Sequence, residues 1–213
     1  MHDQETPAVA VEAAPRRWSP WWLVASALFV VAALAAMLRS APGSSDGVFL
    51  QGVGVAVALG LGFAFLASAV AASRRLGPLR LSTTGVVMLA VLGAWVLLDP
   101  ARSLLGGIAP DAAFFLDAFV RLALSGAVVV AVLRSTLTPP WRAVPAVALA
   151  AVVVASLVQL FVLSGALTDQ SVIGGILSVT GLVPIVAVAA LAALTFRLAR
   201  RGPGTVAVLG TSR

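Results

Sequence analysis

Residues 49–72 read FLQGVGVAVALGLGFAFLASAVAA, an apolar run that contains no charged side chain. A membrane-spanning helix needs about 20 predominantly apolar residues, because it rises about 1.5 Å per residue across a hydrocarbon core about 30 Å thick. This run is long enough to meet that requirement. It is therefore predicted to be a transmembrane helix, and it decides the class of the whole chain.

One further apolar stretch precedes this run and four follow it, and proline and glycine residues separate them. We therefore predict an all-α membrane protein, a six-transmembrane-helix bundle. The third span is the shortest, and it can be extended either by starting at Leu79 or Leu81 or by continuing past Pro100 into Ser103 to Ile108. The six predicted spans cover residues 21–38, 49–72, 84–98, 112–133, 144–163 and 172–198 within a transmembrane domain of residues 20–200.

Composition supports a core that faces lipid. Hydrophobic residues make up 61% of the chain and charged residues only 10%, far from the average of soluble domains. The net charge of +6 does not indicate a nucleic-acid partner, because the basic residues sit at the ends of apolar runs. All 14 basic residues are arginine, and the abundance of Ala, Val, Leu and Gly is typical of a GC-rich bacterial genome. The predicted location is a bacterial cytoplasmic membrane, with the lipid bilayer as the principal partner.

The distribution of arginine predicts the orientation, because basic loops resist translocation. If the N-terminus is cytoplasmic, eleven arginines fall in cytoplasmic segments, Arg39 and Arg102 fall outside, and Arg121 lies within a span. Both termini are therefore predicted to be cytoplasmic, with a disordered leader at residues 1–19 and a short tail at 201–213. An alternative for the first span is a cleaved signal peptide, since Arg16 and Arg17 precede an apolar stretch.

Residues for catalysis or metal binding are scarce. The chain has no cysteine, and its one histidine, His2, lies in the leader. It also lacks the phosphate loop, the His-Glu-x-x-His motif and the Gly-x-Ser-x-Gly motif. We therefore predict no catalytic residues, no metal and no cofactor. A membrane enzyme that acts on lipid stays as the weakest of three hypotheses.

The fourth span contains two ionisable residues, Asp117 and Arg121, spaced i, i+4. Such groups cost several kcal/mol in hydrocarbon unless they are paired or face protein or water. The predicted depths of Gln159 in span five and Thr180 in span six match this pair, so a polar cluster between spans four, five and six is expected. The pair is interpreted either as a structural lock of helix register or as part of a site for a substrate, proton or lipid headgroup.

Small residues recur at every fourth position of span two, which lets another helix approach closely. Ordinary packing within the chain is the preferred interpretation, and a face for a second copy or for a partner in a membrane complex is the alternative. The stripe consists of Gly52, Ala56, Gly60, Ala64 and Ser68.

In span six, Gly181 and Pro184 predict a break or kink.

Two functional hypotheses from different classes follow. The chain is predicted to be a small permease-like or transport-associated protein with a polar site in the outer half of the bundle. The alternative is a non-catalytic membrane scaffold or accessory subunit of a larger complex. The first predicts a water-accessible cavity beside Asp117. The second predicts a dry bundle.

Overall fold

The computed structural model describes residues 20–39, 48–72, 79, 81–105, 110–135, 137, 139–166 and 169–200. Nearly all of these residues are helical, and none of them lies in a strand, so the predicted all-α membrane fold is confirmed. Five of the described helices are long and apolar enough to cross a membrane, and a sixth apolar helix is shorter. The predicted leader at 1–19 and tail at 201–213 lie outside the described residues.

The helices follow the predicted apolar segments closely. Their bounds are α1 Pro20–Arg39, α2 Val48–Ala72, α3 Thr83–Leu97, α4 Asp99–Leu105, α5 Pro110–Leu133, α6 Pro139–Phe161 and α7 Gln170–Arg200, with a π-helical turn at Val162–Ala166 after α6. α6 begins five residues before the predicted span. Pro139 and Pro140 were expected to interrupt the chain, but proline fits the first turn of a helix, where its missing N–H has no intrahelical partner.

The third predicted span consists of α3 and α4. Ser82 caps α3, since its side chain accepts a hydrogen bond from Gly85 N at 3.1 Å. The helix is interrupted at Leu98 because Pro100 lacks the N–H that would bond the carbonyl four residues earlier. The chain then resumes as α4, so the continuation past Pro100 is present, whereas Leu79 and Leu81 are not helical. α3 alone is about 22 Å long, short of the hydrocarbon thickness.

The five long helices and α3 pack in chain order, and the last packs against the first. α2 packs against α1 and α3, α5 against α3 and α6, and α7 against α6 and α1. The main buried cluster joins Trp22 at the start of α1, Val70 near the end of α2, Leu89 in α3 and Leu198 near the end of α7. The beginning of α1 and the end of α7 therefore lie at the same end of the bundle, and the tightest core is there.

α2 is the most buried of the long helices, and two of its glycines, Gly60 and Gly62, are in close contact with neighbouring helices. A Cβ on Gly60 would lie 2.9 Å from the carbonyl oxygen of Gly93 in α3, and one on Gly62 would lie 2.9 Å from the ring of Phe29 in α1. This is the preferred interpretation of the stripe, close packing inside the bundle. A partner that binds through span two stays a prediction.

α1 and α7 are joined by buried contacts. Phe29 of α1 is fully buried, and the Ser26 hydroxyl donates a hydrogen bond of 3.0 Å to the carbonyl of Ala192. α1 is therefore an integral part of the core. α7 runs through Pro184 as one continuous helix, so of the predicted break or kink near Gly181 the break is absent and the kink stays a prediction. In hydrocarbon a proline can be accommodated inside a helix when neighbouring groups compensate for the lost hydrogen bond.

Candidate functional site

Four charged side chains meet where α4 faces the beginning of α5. Asp99 and Arg102 lie on α4, and Asp117 and Arg121 lie one turn apart on α5. α4, the short helix after the interruption at Leu98, places Asp99 and Arg102 beside α5. The site is at the opposite end of the bundle from the main core, because it lies beyond the end of α3 and near the start of α5.

Each carboxylate in this charge cluster pairs with both arginines. Asp117 accepts a hydrogen bond from Arg102 Nη1, and its Oδ2 lies 2.7 Å from Arg121 Nε in an ion pair. Asp99 pairs with Arg121 Nη2 and lies 3.5 Å from Arg102 Nη2. Two negative and two positive charges therefore balance within one network, as an apolar environment requires.

Trp95, near the end of α3, ties this network to a third helix. Its indole Nε1 donates a hydrogen bond of 2.8 Å to Asp117 Oδ1, and its carbonyl oxygen accepts one of 2.7 Å from Arg102 Nη2. The guanidinium carbon of Arg102 also lies 4.1 Å from the centroid of the Trp95 ring, a cation–π contact. α3, α4 and α5 are thus joined by hydrogen bonds, ion pairs and a cation–π contact at this end.

The charge cluster is partly accessible. Its four charged side chains are between 26% and 39% exposed. The Nε atom of Arg102 is nevertheless buried and has no hydrogen-bond acceptor among the described residues, whereas the buried Nε of Arg121 lies 2.7 Å from Asp117 Oδ2. The Oδ1 atoms of both carboxylates have donors, so the Arg102 Nε–H is the buried donor of the cluster that is left over.

Gln159 and Thr180 form a separate pair between α6 and α7. Gln159 Nε2 donates a hydrogen bond of 3.1 Å to Thr180 Oγ1, and the Thr180 hydroxyl donates in turn to the carbonyl of Ile176 at 2.8 Å. Among the described residues, no hydrogen bond or ion pair joins this pair to Asp117 or Arg121. The four residues expected in one cluster therefore form two polar groups. Asp117 and Arg121 belong to the charge cluster between α4 and α5, and Gln159 and Thr180 pair between α6 and α7.

The sequence interpretation missed three members of the charge cluster. Arg102 was counted only among the arginines outside the membrane, and Trp95 and Asp99 were not assigned to a site. Their signal was present: Asp99 and Arg102 are spaced i, i+3 after a proline-interrupted helix, and they precede Asp117 by less than one span. Charged residues in the segment that precedes a span can pair with an ion pair inside that span.

No chemistry beyond ion pairing is evident in this arrangement. The part of the chain that the structure describes contains no group of three His, Cys, Asp or Glu side chains able to hold a metal ion. Comparison of the chain with protein-family models, with characterised proteins and with solved structures finds no match.

Proposed function

We propose that this chain is a non-catalytic scaffold or accessory subunit of a bacterial cytoplasmic membrane, with six spans and both termini in the cytoplasm. One observation carries the proposal: both carboxylates of the charge cluster are paired with both of its arginines. A site that recognises a charged solute needs a charge left over for the ligand, and this network is neutral. Its role is to hold α3, α4 and α5 in one arrangement.

Because the cluster contains four charges, a test of its role as a structural lock has to compare the exchange of two charges with the exchange of all four. Exchanging Asp117 and Arg121 alone would place an arginine at position 117 against Arg102 and an aspartate at position 121 against Asp99. Exchanging all four charges, in D99R/R102D/D117R/R121D, restores an opposite charge at each of the four contacts. The Trp95 N–H loses its acceptor in this variant, so recovery is expected to be large rather than complete.

The experiment measures the free energy of unfolding of these variants in mild detergent. We expect D117R/R121D to lose about 2–4 kcal/mol, since breaking a buried pair costs about 3–5 kcal/mol and partial exposure reduces that value. The four-residue exchange is expected to regain more than half of the loss. Equal instability of the two variants would contradict the lock.

A solute pathway is the second candidate, and the buried Nε–H of Arg102, which has no acceptor among the described residues, favours it. The chain contains no cysteine, so single cysteines report on water access without background. Ser125 lies on the same face of α5 as Asp117, one turn beyond Arg121, and cysteine is close to serine in size. A scaffold leaves S125C unreactive towards a charged maleimide, whereas a water-filled pathway makes it react. S171C, at an exposed position, is the positive control.

A further inference from the structure

An apolar groove lies between α6 and α7. Its volume is about 630 Å³, within the range of about 300–1,000 Å³ found for small-molecule sites. Every lining residue is apolar, and many are small. From α6 they are Pro140, Ala143, Val144, Val147, Ala148 and Ala151, and α7 supplies an equal number between Val179 and Ala190.

One end of the groove meets a basic surface. Pro140 lines the groove, and the next residue, Trp141, stacks under Arg197, whose guanidinium carbon lies 4.1 Å from the ring centroid. Arg197 is exposed, and Trp141 is anchored against the main core. The chain has no Asp or Glu between Asp117 and Asp169 or after Asp169, so α6 and α7 bring no carboxylate to this end.

The dimensions of the groove fit one acyl chain. The wall of α6 from Pro140 to Ala151 is about 17 Å long, close to half of a hydrocarbon core about 30 Å thick. A chain that starts at the basic end would therefore reach the middle of the membrane. There, alanines from both helices, Ala151 and Ala187 among them, leave room for it.

We propose that the α6–α7 groove binds an anionic phospholipid, with one acyl chain along the groove and the phosphate against Arg197. Tryptophan at the level of the headgroups and basic residues that attract anionic lipid both fit the end at Trp141. The stacking of Arg197 on Trp141 holds the guanidinium beside the groove before the lipid arrives. This site is independent of the charge cluster and of the scaffold function.

The test titrates the delipidated full-length chain in detergent with dioleoyl phosphatidylglycerol or dioleoyl phosphatidylcholine and records the rise in Tm. The acyl chains of the two lipids are identical, so the difference reports the headgroup. Phosphatidylglycerol should reach half of its maximal effect at a concentration about fivefold lower, as one basic contact with anionic lipid implies. Because each variant is compared with itself in the two lipids, a change in its basal stability does not obscure the result.

Two pairs of variants locate the headgroup and the chain. R197Q should abolish most of the difference between the lipids, and R134Q should retain it, since Arg134 is an exposed arginine at the same end of the bundle but is not part of the groove. A151F should weaken the effect of both lipids by filling the groove. A150F places the same ring on the neighbouring exposed residue outside the groove and should not.

Three outcomes would overturn the proposal. Equal half-maximal concentrations for the two lipids would remove the headgroup preference. Equal effects of R197Q and R134Q would indicate general attraction to a basic surface. A change in oligomeric state on A151F without any change in the lipid response would assign the groove to a second copy of the chain.

Discussion

The two halves of the bundle use glycine differently. In α2 and α3, an added Cβ would come within 3.0 Å of a neighbouring atom at Gly60, Gly62, Gly85 and Gly93. In α5 and α7, an added Cβ would meet nothing within 4 Å at Gly126, Gly174, Gly175 and Gly181. The N-terminal half is also the more buried: 39% of the α2 span is buried, against 6% of the α5 span. Close backbone approach fixes the first half, and individual side-chain contacts connect the second.

Among the substitutions that test this difference between the halves, the largest effect is expected from G93A in α3. A Cβ there would lie 2.9 Å from the carbonyl oxygen of Gly60 and 3.0 Å from the amide nitrogen of Ala64, and backbone atoms cannot move aside as a side chain can. We expect a loss of about 1–3 kcal/mol in the free energy of unfolding, measured by denaturant titration in mild detergent.

Two alanine variants serve as controls for that substitution. G54A tests an open glycine in α2, and G181A tests an open glycine in the C-terminal half. Both should leave the free energy of unfolding unchanged or raise it by up to about 1 kcal/mol, because alanine is the better helix former. A loss at Gly181 as large as the loss at Gly93 would remove the distinction between the halves.

A smaller effect is expected from T180V, which removes the acceptor of the Gln159 hydrogen bond between α6 and α7. Interhelical hydrogen bonds in membranes contribute about 0.6 kcal/mol on average, so a loss of that order is expected in the same titration. T195V is the matched control, since the buried Thr195 hydroxyl bonds only to carbonyls of its own helix. If both variants lose the same amount, the Gln159 contact does not connect the helices.

The smallest effect concerns the start of α7. The Ser171 hydroxyl donates to Asp169 Oδ1, as do the backbone N–H groups of Ser171 and Val172, and these bonds lower the pKa of the Asp169 carboxyl. The helix end is therefore stabilised by the carboxylate above the unfolded-state pKa of about 3.9, and this stabilisation is lost as the pH falls through the lower folded-state pKa.

NMR titration of the Asp169 carboxyl in micelles measures this shift. S171A removes the largest contribution and should move the pKa of Asp169 back towards its usual value. The Asp117 network lies elsewhere on the chain, so its resonances serve as the internal reference. An unchanged titration in S171A would show that the hydroxyl does not cap the helix.

The helices could be predicted from the sequence because hydrophobic length alone defines them, and every predicted apolar segment is helical. The polar contacts were harder to predict. Asp117 and Arg121 were identified as a pair from their spacing, since that contact lies within one helix. Asp99 and Arg102 were not assigned to the cluster, because their position depends on how the chain turns after Pro100. Gln159 and Thr180 are separate from the charge cluster because of how the helices are arranged around one another. Matching depths in the membrane do not show which helices are neighbours.

The contact between Ser26 and Ala192 has a consequence for biogenesis. These residues are 166 positions apart, and at about 5–20 residues per second the ribosome takes about 10–30 s to pass from one to the other. Throughout that interval the face of α1 that will pack on α7 has no partner from its own chain. A nascent chain interrupted before α7 would present this surface to lipid and to other membrane proteins.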